Sequence, residues 1–266
     1  MTALLVALAA VAVVAGVVMT VTALVARRQG RVVVVDVAWG VALALSGLAA
    51  AIVGTACHQG HLGRTWVVSA AVGAWGLRLS RHIVRRSHGG EDPRYEQLMG
   101  GPLDEVGMGV AVRKVFAIQG PAVCLVALPV VVGAVSDVAW WPLVWVGLAL
   151  WAIGLFFESV GDAQLAAYRA QPRDQRPPVL DTGLWRYTRH PNYFGDACVW
   201  WGIWLASAMA SGWVEGLATV VAPAAMSYFL VWATGAKPLE RTMMQRPAYR
   251  AYASRTSMFV PLPPRG

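Results

Sequence analysis

TALLVALAAVAVVAGVVMTVTALVA, residues 2–26, is Val, Ala and Leu with no ionisable side chain. A helix needs about 20 mainly apolar residues to cross a bilayer, so this run reads as a spanning helix. It is longer than a signal-peptide core, and no small-residue cleavage site with a polar start follows it, so it is expected to remain in the chain. The solvent for most of the sequence is then lipid. Windows of similar character recur near residues 33–53, 65–84, 115–136, 138–160, 196–211 and 213–234. Across all 266 residues, 57% are hydrophobic and 14% charged, against about 25% charged in soluble domains. The expected architecture is all-α, a polytopic membrane protein forming one integral-membrane domain over residues 1–266, a bundle of seven transmembrane helices.

Lys and Arg are distributed unevenly between the connections. Arg27, Arg28 and Arg31 follow the first window; Arg85, Arg86, Arg94, Arg113 and Lys114 follow the third; Arg169, Arg173, Arg176, Arg186 and Arg189 follow the fifth. The tail adds Lys237, Arg241, Arg246, Arg250, Arg255 and Arg265, whereas the opposite connections hold Arg64 alone. Cytoplasmic loops carry the positive excess, so the N-terminus is expected outside and the C-terminus in the cytoplasm. A basic face beside anionic lipid also accounts for the net charge of +8 without a nucleic-acid partner. Cys57, Cys124 and Cys198 form neither a pairable framework nor a metal spacing. His58 and His61 lack the further ligands a metal needs, so no metal site is expected.

Polar groups inside apolar helices are where function is sought. Asp36 lies about one turn into the second window, and two readings stay open: a helix-start carboxylate in headgroup water, or a proton donor at the mouth of an intramembrane pocket. Arg78, Arg81, His82 and Arg85 share one helical face at the end of the third window. Such a like-charge stripe persists by snorkelling to the headgroups or by facing an anion; the depth of Arg78 favours an anion. The loop from Ser87 to Met108 has Gly pairs at 89–90 and 100–101 and is read as an ordered loop or a short amphipathic helix. Pro121 suggests a kink in the fourth helix. At the end of the fifth window Glu158 and Asp162 stand at i, i+4, followed by Gln164 and Arg169. Such a carboxylate pair suits a cation, acid-base chemistry, or the hydroxyls and amides of a cofactor.

The densest polar stretch is Trp185-Arg186-Tyr187-Thr188-Arg189-His190-Pro191-Asn192-Tyr193-Phe194-Gly195-Asp196. Pro191 suits a first helical turn, which puts Asn192 and Asp196 on one face. Arg189 and His190 precede a helix start whose free N–H groups and dipole favour anions. Together with Tyr193 they form what a phosphate-bearing ligand needs; the other reading, interfacial snorkelling with an aromatic belt, leaves Asn192 and Asp196 unexplained. The tail with Glu240, Tyr249 and Tyr252 is expected either on the membrane surface or folded back as a lid. No Gly-rich phosphate loop, Walker sequence or Ser-His-Asp order occurs.

From the Asp36-x-x-Trp39-Gly40 stretch, through Glu91-Asp92-Pro93-Arg94-Tyr95, Phe157-Glu158 with Asp162, and Arg189-His190-Pro191-Asn192-Tyr193-Phe194-Gly195-Asp196, to Glu240, Tyr249, Tyr252 and Arg255-Thr256-Ser257, the chain resembles the steroid 5-alpha-reductase superfamily, most closely its bacterial membrane branch. Arg-His-Pro-x-Tyr-x-Gly is shared with isoprenylcysteine carboxyl methyltransferases. The resemblance implies a seven-helix bundle of the bacterial plasma membrane, with a cavity open to the cytoplasm. NADPH would enter that cavity and reduce a carbon-carbon double bond conjugated to a carbonyl in a hydrophobic substrate. It further implies cofactor contacts from Asn192, Asp196, Glu158 and Asp162. Arg169, Arg81, Arg85 and Arg86 would meet phosphates, and Asp36 would stand beside the substrate carbonyl as the catalytic acid. The steroid enzymes place a tyrosine on the third helix against that carbonyl. This chain has no Tyr before Tyr95, and Trp75 is the aromatic nearest the expected place.

Two other readings are carried forward. A lipid methyltransferase would use Arg189, His190 and Glu240 to hold S-adenosylmethionine. A small transporter or scaffold is disfavoured because the charges gather at one membrane face and not at the midplane.

Overall fold

A computed structural model describes residues 1–87, 90–233 and 235–265; Gly89 of the first Gly pair and Thr234, the end of the last window, lie outside the described residues. The fold is all-α. Helices run over Thr2–Gln29 (α1), Val34–Ala56 (α2), Leu62–Arg86 (α3), Pro93–Met99 (α4), Met108–Val135 (α5), Trp141–Ala170 (α6), Pro191–Trp204 (α7), Trp213–Thr219 (α8), Val221–Tyr228 (α9), Ala236–Met243 (α10) and Pro247–Arg255 (α11). One turn of helix precedes α5 at Leu103–Val106, and π turns occur at Val112–Phe116, Leu205–Met209 and Phe229–Ala233.

Helix ends follow local chemistry. Gly30 closes α1 in the left-handed conformation at φ 66°, which only glycine adopts without strain. In α4, Asp92 caps the first turn by accepting from the Arg94 N–H at 2.9 Å, Pro93 occupies the first helical position, and Gly100 ends the helix at φ 95°. Over residues 92–100 the segment after α3 is thus a capped short helix. Pro121 and Pro129 both lie within α5.

Among the described residues, five helical stretches are long and apolar enough to cross a membrane: Thr2–Gln29, Val34–Ala56, Met108–Val135, Trp141–Ala170 and Trp213–Met243, the last comprising α8 to α10. The protein is therefore a polytopic integral membrane protein. Helix α3 is outside this set because Arg64, Arg78, Arg81, Arg85 and Arg86 lower its hydropathy; α7 is outside it because it is short.

The chain divides into two compact units: Met1–Val144 with Ile203–Ala222, and Trp145–Gly202 with Pro223–Gly266. In the first unit α2 and α3 pack backbone to backbone where Gly40 meets Gly76. Hydroxyls join the same pair, Ser80 donating to the Val37 carbonyl at 2.8 Å and Ser69 to that of Gly47 at 2.9 Å. Small residues allow this approach, and interhelical hydrogen bonds replace the hydrophobic drive that lipid does not supply. Arg64, counted from the sequence as an outer-loop charge, is instead 2% exposed. Its guanidinium donates to the Ser207 carbonyl at 3.0 Å, to the Ser211 hydroxyl at 2.7 Å, and to the Gly133 and Ser136 carbonyls. Helix-end carbonyls carry the negative end of the dipole, so they hold this cation where lipid would reject it.

In the second unit α6 and α7 meet along a glycine seam. A Cβ on Gly154 would stand 2.5 Å from the Gly195 carbonyl oxygen, one on Gly202 2.5 Å from that of Gly147, and one on Gly161 3.1 Å from the Pro191 ring. Gly147, Gly154 and Gly161 are seven apart, as are Gly195 and Gly202, so one small-residue stripe on each helix faces the other.

Candidate functional site

The seam fixes the polar residues of the second unit. Gly195 lies against the backbone of Glu158, and Gly161 against Pro191 and Asn192. The Asn192 amide donates to Asp162 Oδ1 at 3.1 Å. Glu158, Asp162 and Asp196 are only 3%, 6% and 8% exposed. Glu158 and Asp162 share one face of α6 and Asn192 and Asp196 one face of α7, so four residues far apart in sequence gather at one crossing. Buried carboxylates in membrane helices are costly unless hydrogen-bonded, and these are acceptors suited to a ligand bearing hydroxyl or amide donors. Arg169 lies about two turns beyond Asp162 on α6 and is exposed. Indole and amide groups steady the loop before α7: Trp185 Nε1 donates to the Gly161 carbonyl at 3.0 Å, and the Gln164 side chain accepts from the Leu184 N–H at 3.0 Å.

Arg189 and His190, expected at an anion, are both bonded within the protein. Arg189 Nε donates to Glu240 Oε1 at 2.6 Å and Nη2 to Oε2 at 2.9 Å, while Nη1 reaches the Ala253 and Thr256 carbonyls. A guanidinium has five N–H donors; four are used within the protein, and the residue is 8% exposed. In this structure the Arg189 charge answers Glu240. Burial works against that charge, but the Glu240 bonds prevail and raise its pKa further. His190 Nε2 lies 3.0 Å from the same Glu240 oxygen, and its ring stacks on Tyr193 with centroids 5.4 Å apart. The Tyr249 hydroxyl also donates to Glu240 at 3.1 Å, and that of Tyr252 to the Trp185 carbonyl. Burial, then the nearby Glu240 carboxylate, raises the Tyr249 phenol above its ordinary range, so it stays a donor.

The tail accordingly folds back. Arg189 N–H donates to the Ser257 carbonyl at 2.9 Å, Thr188 Oγ1 to that of Phe259 at 2.8 Å, and Leu262 N–H to that of Tyr187 at 3.0 Å. It is a fastened strap over residues 185–190 and not a surface helix.

The first unit holds Asp36, and here the structure supplies a partner that the sequence reading missed. The Tyr95 hydroxyl of α4 donates to Asp36 Oδ1, and Arg94 Nη2 stands 3.7 Å from Oδ2. Burial, then the adjacent Asp36 carboxylate, raises the Tyr95 phenol well above its usual range. Burial opposes ionisation of Asp92 too, but hydrogen bonds from the Arg94 side chain and N–H outweigh it and hold the carboxyl below its usual range. Glu91 docks this loop by accepting from the Val32 N–H and, at 2.9 Å, the Val33 N–H, where α2 begins. Trp75, the nearest aromatic by sequence, is fully buried. Arg81, Arg85 and Arg86 are exposed at the end of α3. No group of three or more His, Cys, Asp and Glu with metal-site geometry occurs among the described residues.

Helices of spanning length, a buried carboxylate-amide cluster and a tyrosine-carboxylate pair define a polytopic membrane protein with polar chemistry built into its apolar helices. Residues 22–256 match the family described as "Protein of unknown function (DUF1295)", and the chain belongs to that family. No curated protein and no solved structure matches it.

Proposed function

We propose that this protein is a membrane-embedded reductase that uses NADPH to saturate a carbon-carbon double bond conjugated to a carbonyl in a hydrophobic substrate. The observation that carries the reading is the Asn192–Asp162 hydrogen bond inside a cluster with buried Glu158 and Asp196. These side chains fit the ribose hydroxyls and carboxamide of a nicotinamide nucleotide, and Arg169, exposed on the same unit, is assigned to its phosphates. A methyltransferase would need Arg189, His190 and Glu240 for its cofactor, and these three are bonded to one another.

Held by these residues, NADPH would supply the hydride that adds to the β-carbon of the enone, with NADP⁺ as the oxidised product. Asp36 and Tyr95 are assigned to the carbonyl oxygen. Tyr95, a protonated donor, hydrogen-bonds the developing enolate, and Asp36 orients that hydroxyl. A solvent proton completes the α-carbon. Asp36 thus becomes a positioning partner of the phenol, in place of the lone acid that sequence resemblance implies.

We read seven spans, the five apolar stretches together with α3 and the run from Pro191 to Ser211, with the N-terminus outside and the site open to the cytoplasm. Burial of Arg64 among carbonyls supports α3 as a span, since α3 then presents no bare charge to lipid at that end.

Binding of NADPH and of S-adenosylmethionine to detergent-purified protein, followed by calorimetry, tests the reading. Saturable NADPH binding, weakened at least about tenfold in Asn192→Ala and in Asp196→Ala protein with unchanged elution and circular dichroism, is expected. Binding of S-adenosylmethionine alone would replace reduction with methyl transfer.

A further inference from the structure

The first unit contains a groove between α1, α2 and α3 that neither the reductase reading nor the family assignment explains. Its volume is about 500 Å³, and its walls are Val17, Val21 and Val25 of α1, Val37 and Val41 of α2, and Ile83 of α3. Thr22 also lines it, but its hydroxyl is turned back to the Val18 carbonyl at 2.7 Å, so the wall is effectively apolar. Polar side chains gather at one end only, in Gln29, Arg31 and Ser87. From Val17 to Gln29 the helix rises about 18 Å, close to the roughly 15 Å depth of one leaflet of a 30 Å hydrocarbon core. The long side is open, since Val21 and Val84 are 53% and 57% exposed.

Arg31 is the informative residue. Its Nε donates to Gln29 Oε1 at 2.9 Å, but Nη1 is buried without a hydrogen-bond partner among the described residues. No lining residue is acidic. Glu91, whose carboxylate reaches this turn, accepts from the N–H groups of Val32, Val33 and Asp92, and Asp36 accepts from the Tyr95 hydroxyl. A buried guanidinium nitrogen lacking an acceptor calls for an explanation, and an anionic oxygen at the groove's polar end supplies one. Arg27, Arg28, Arg85 and Arg86 sit in the last turns of the two flanking helices and add to the same positive field.

We propose that this groove is a binding site for an anionic bilayer phospholipid, with one acyl chain along the valine wall and the phosphate on Arg31. A bilayer lipid is favoured over a free acid because the groove opens sideways over its length, so that one chain enters while the second stays in the bilayer. Guanidinium pairs with phosphate through paired, charge-assisted hydrogen bonds, which makes headgroup charge the discriminating property.

The test is native mass spectrometry of the full chain, titrated with palmitoyl-oleoyl phosphatidylglycerol, with phosphatidylcholine of the same chains, or with palmitate. Phosphatidylglycerol is expected to be retained about tenfold more strongly than phosphatidylcholine. Arg31→Gln should bring the two to the same level and Arg31→Lys should keep part of the preference. Val21→Trp, at an exposed wall position, should weaken both phospholipids while leaving thermal unfolding unchanged. Equal retention of the two phospholipids by the parent protein would overturn the proposal, leaving only non-selective annular lipid. Saturable palmitate binding that phosphatidylglycerol does not displace would overturn it in favour of a free-acid site.

Discussion

The Arg189–Glu240 pair shows how little a residue's neighbours in sequence say about its task. A guanidinium beside a helix start reads as an anion ligand. Its carboxylate partner lies 51 positions on, so the pairing is set by the fold-back of the tail. Removing one member of a buried pair leaves the other charge uncompensated, at about 3–5 kcal/mol. Glu240→Ala is therefore expected to lower the thermal midpoint of detergent-solubilised protein by several degrees and to open residues 185–190 and the tail to protease together. Glu240→Gln, which keeps one acceptor, should fall between. An unchanged midpoint for Glu240→Ala would show that the strap is fastened by its backbone hydrogen bonds alone. Asn192, Asp196, Glu158 and Asp162 were legible as i, i+4 pairs; Tyr95 was not, because nothing local announces that a loop helix reaches back to the start of α2.

Among the helices, the α6–α7 seam does the positioning. Gly147, Gly154 and Gly161 can be seen in the sequence as a period of seven, yet glycines are common in membrane helices, and only their facing partners give the spacing meaning. A side chain at Gly195 would meet the Glu158 backbone nitrogen at 2.5 Å, so Gly195→Ala must push the helices apart. Overpacking of this kind costs about 1–3 kcal/mol, and it should also weaken ligand binding by separating Asn192 from Asp162. Gly73→Ala is the control: nothing lies within 4 Å of its added methyl. It should gain about 0.5–1 kcal/mol from the restricted unfolded chain. Comparing the two variants by thermal unfolding and NADPH titration separates a specific seam from a general intolerance of helix mutations.

For the whole molecule, the apolar windows gave the helices to within a few residues at most ends, with informative departures. Helix α5 begins earlier than its window, at Met108, because the polar Arg113 and Lys114 are carried on a π turn. Helix α6 runs on to Ala170, ten residues past its window, because polar residues continue a helix as readily as apolar ones. Among the described residues five helical stretches meet the length and hydropathy of a span, and the proposed seven-span orientation makes a direct prediction. In protein with Cys57, Cys124 and Cys198 replaced by Ala, a membrane-impermeant maleimide added to intact cells should label Gln59→Cys and leave Ser87→Cys and Arg265→Cys unlabelled until the membrane is opened. The reverse pattern would invert the topology; labelling of both Gln59→Cys and Ser87→Cys would remove α3 as a span.

What the sequence alone determined is what a bilayer demands of any chain. Long apolar runs must become helices because their backbone groups have no other partners in hydrocarbon, and ionisable residues within or beside those runs mark function. What only the tertiary structure decided is which polar group answers which. Arg64 took helix-end carbonyls, Arg189 took Glu240, Tyr95 took Asp36, and Asn192 took Asp162. In a low-dielectric interior each such group must find a partner, and the packing that brings remote segments together determines which one it finds.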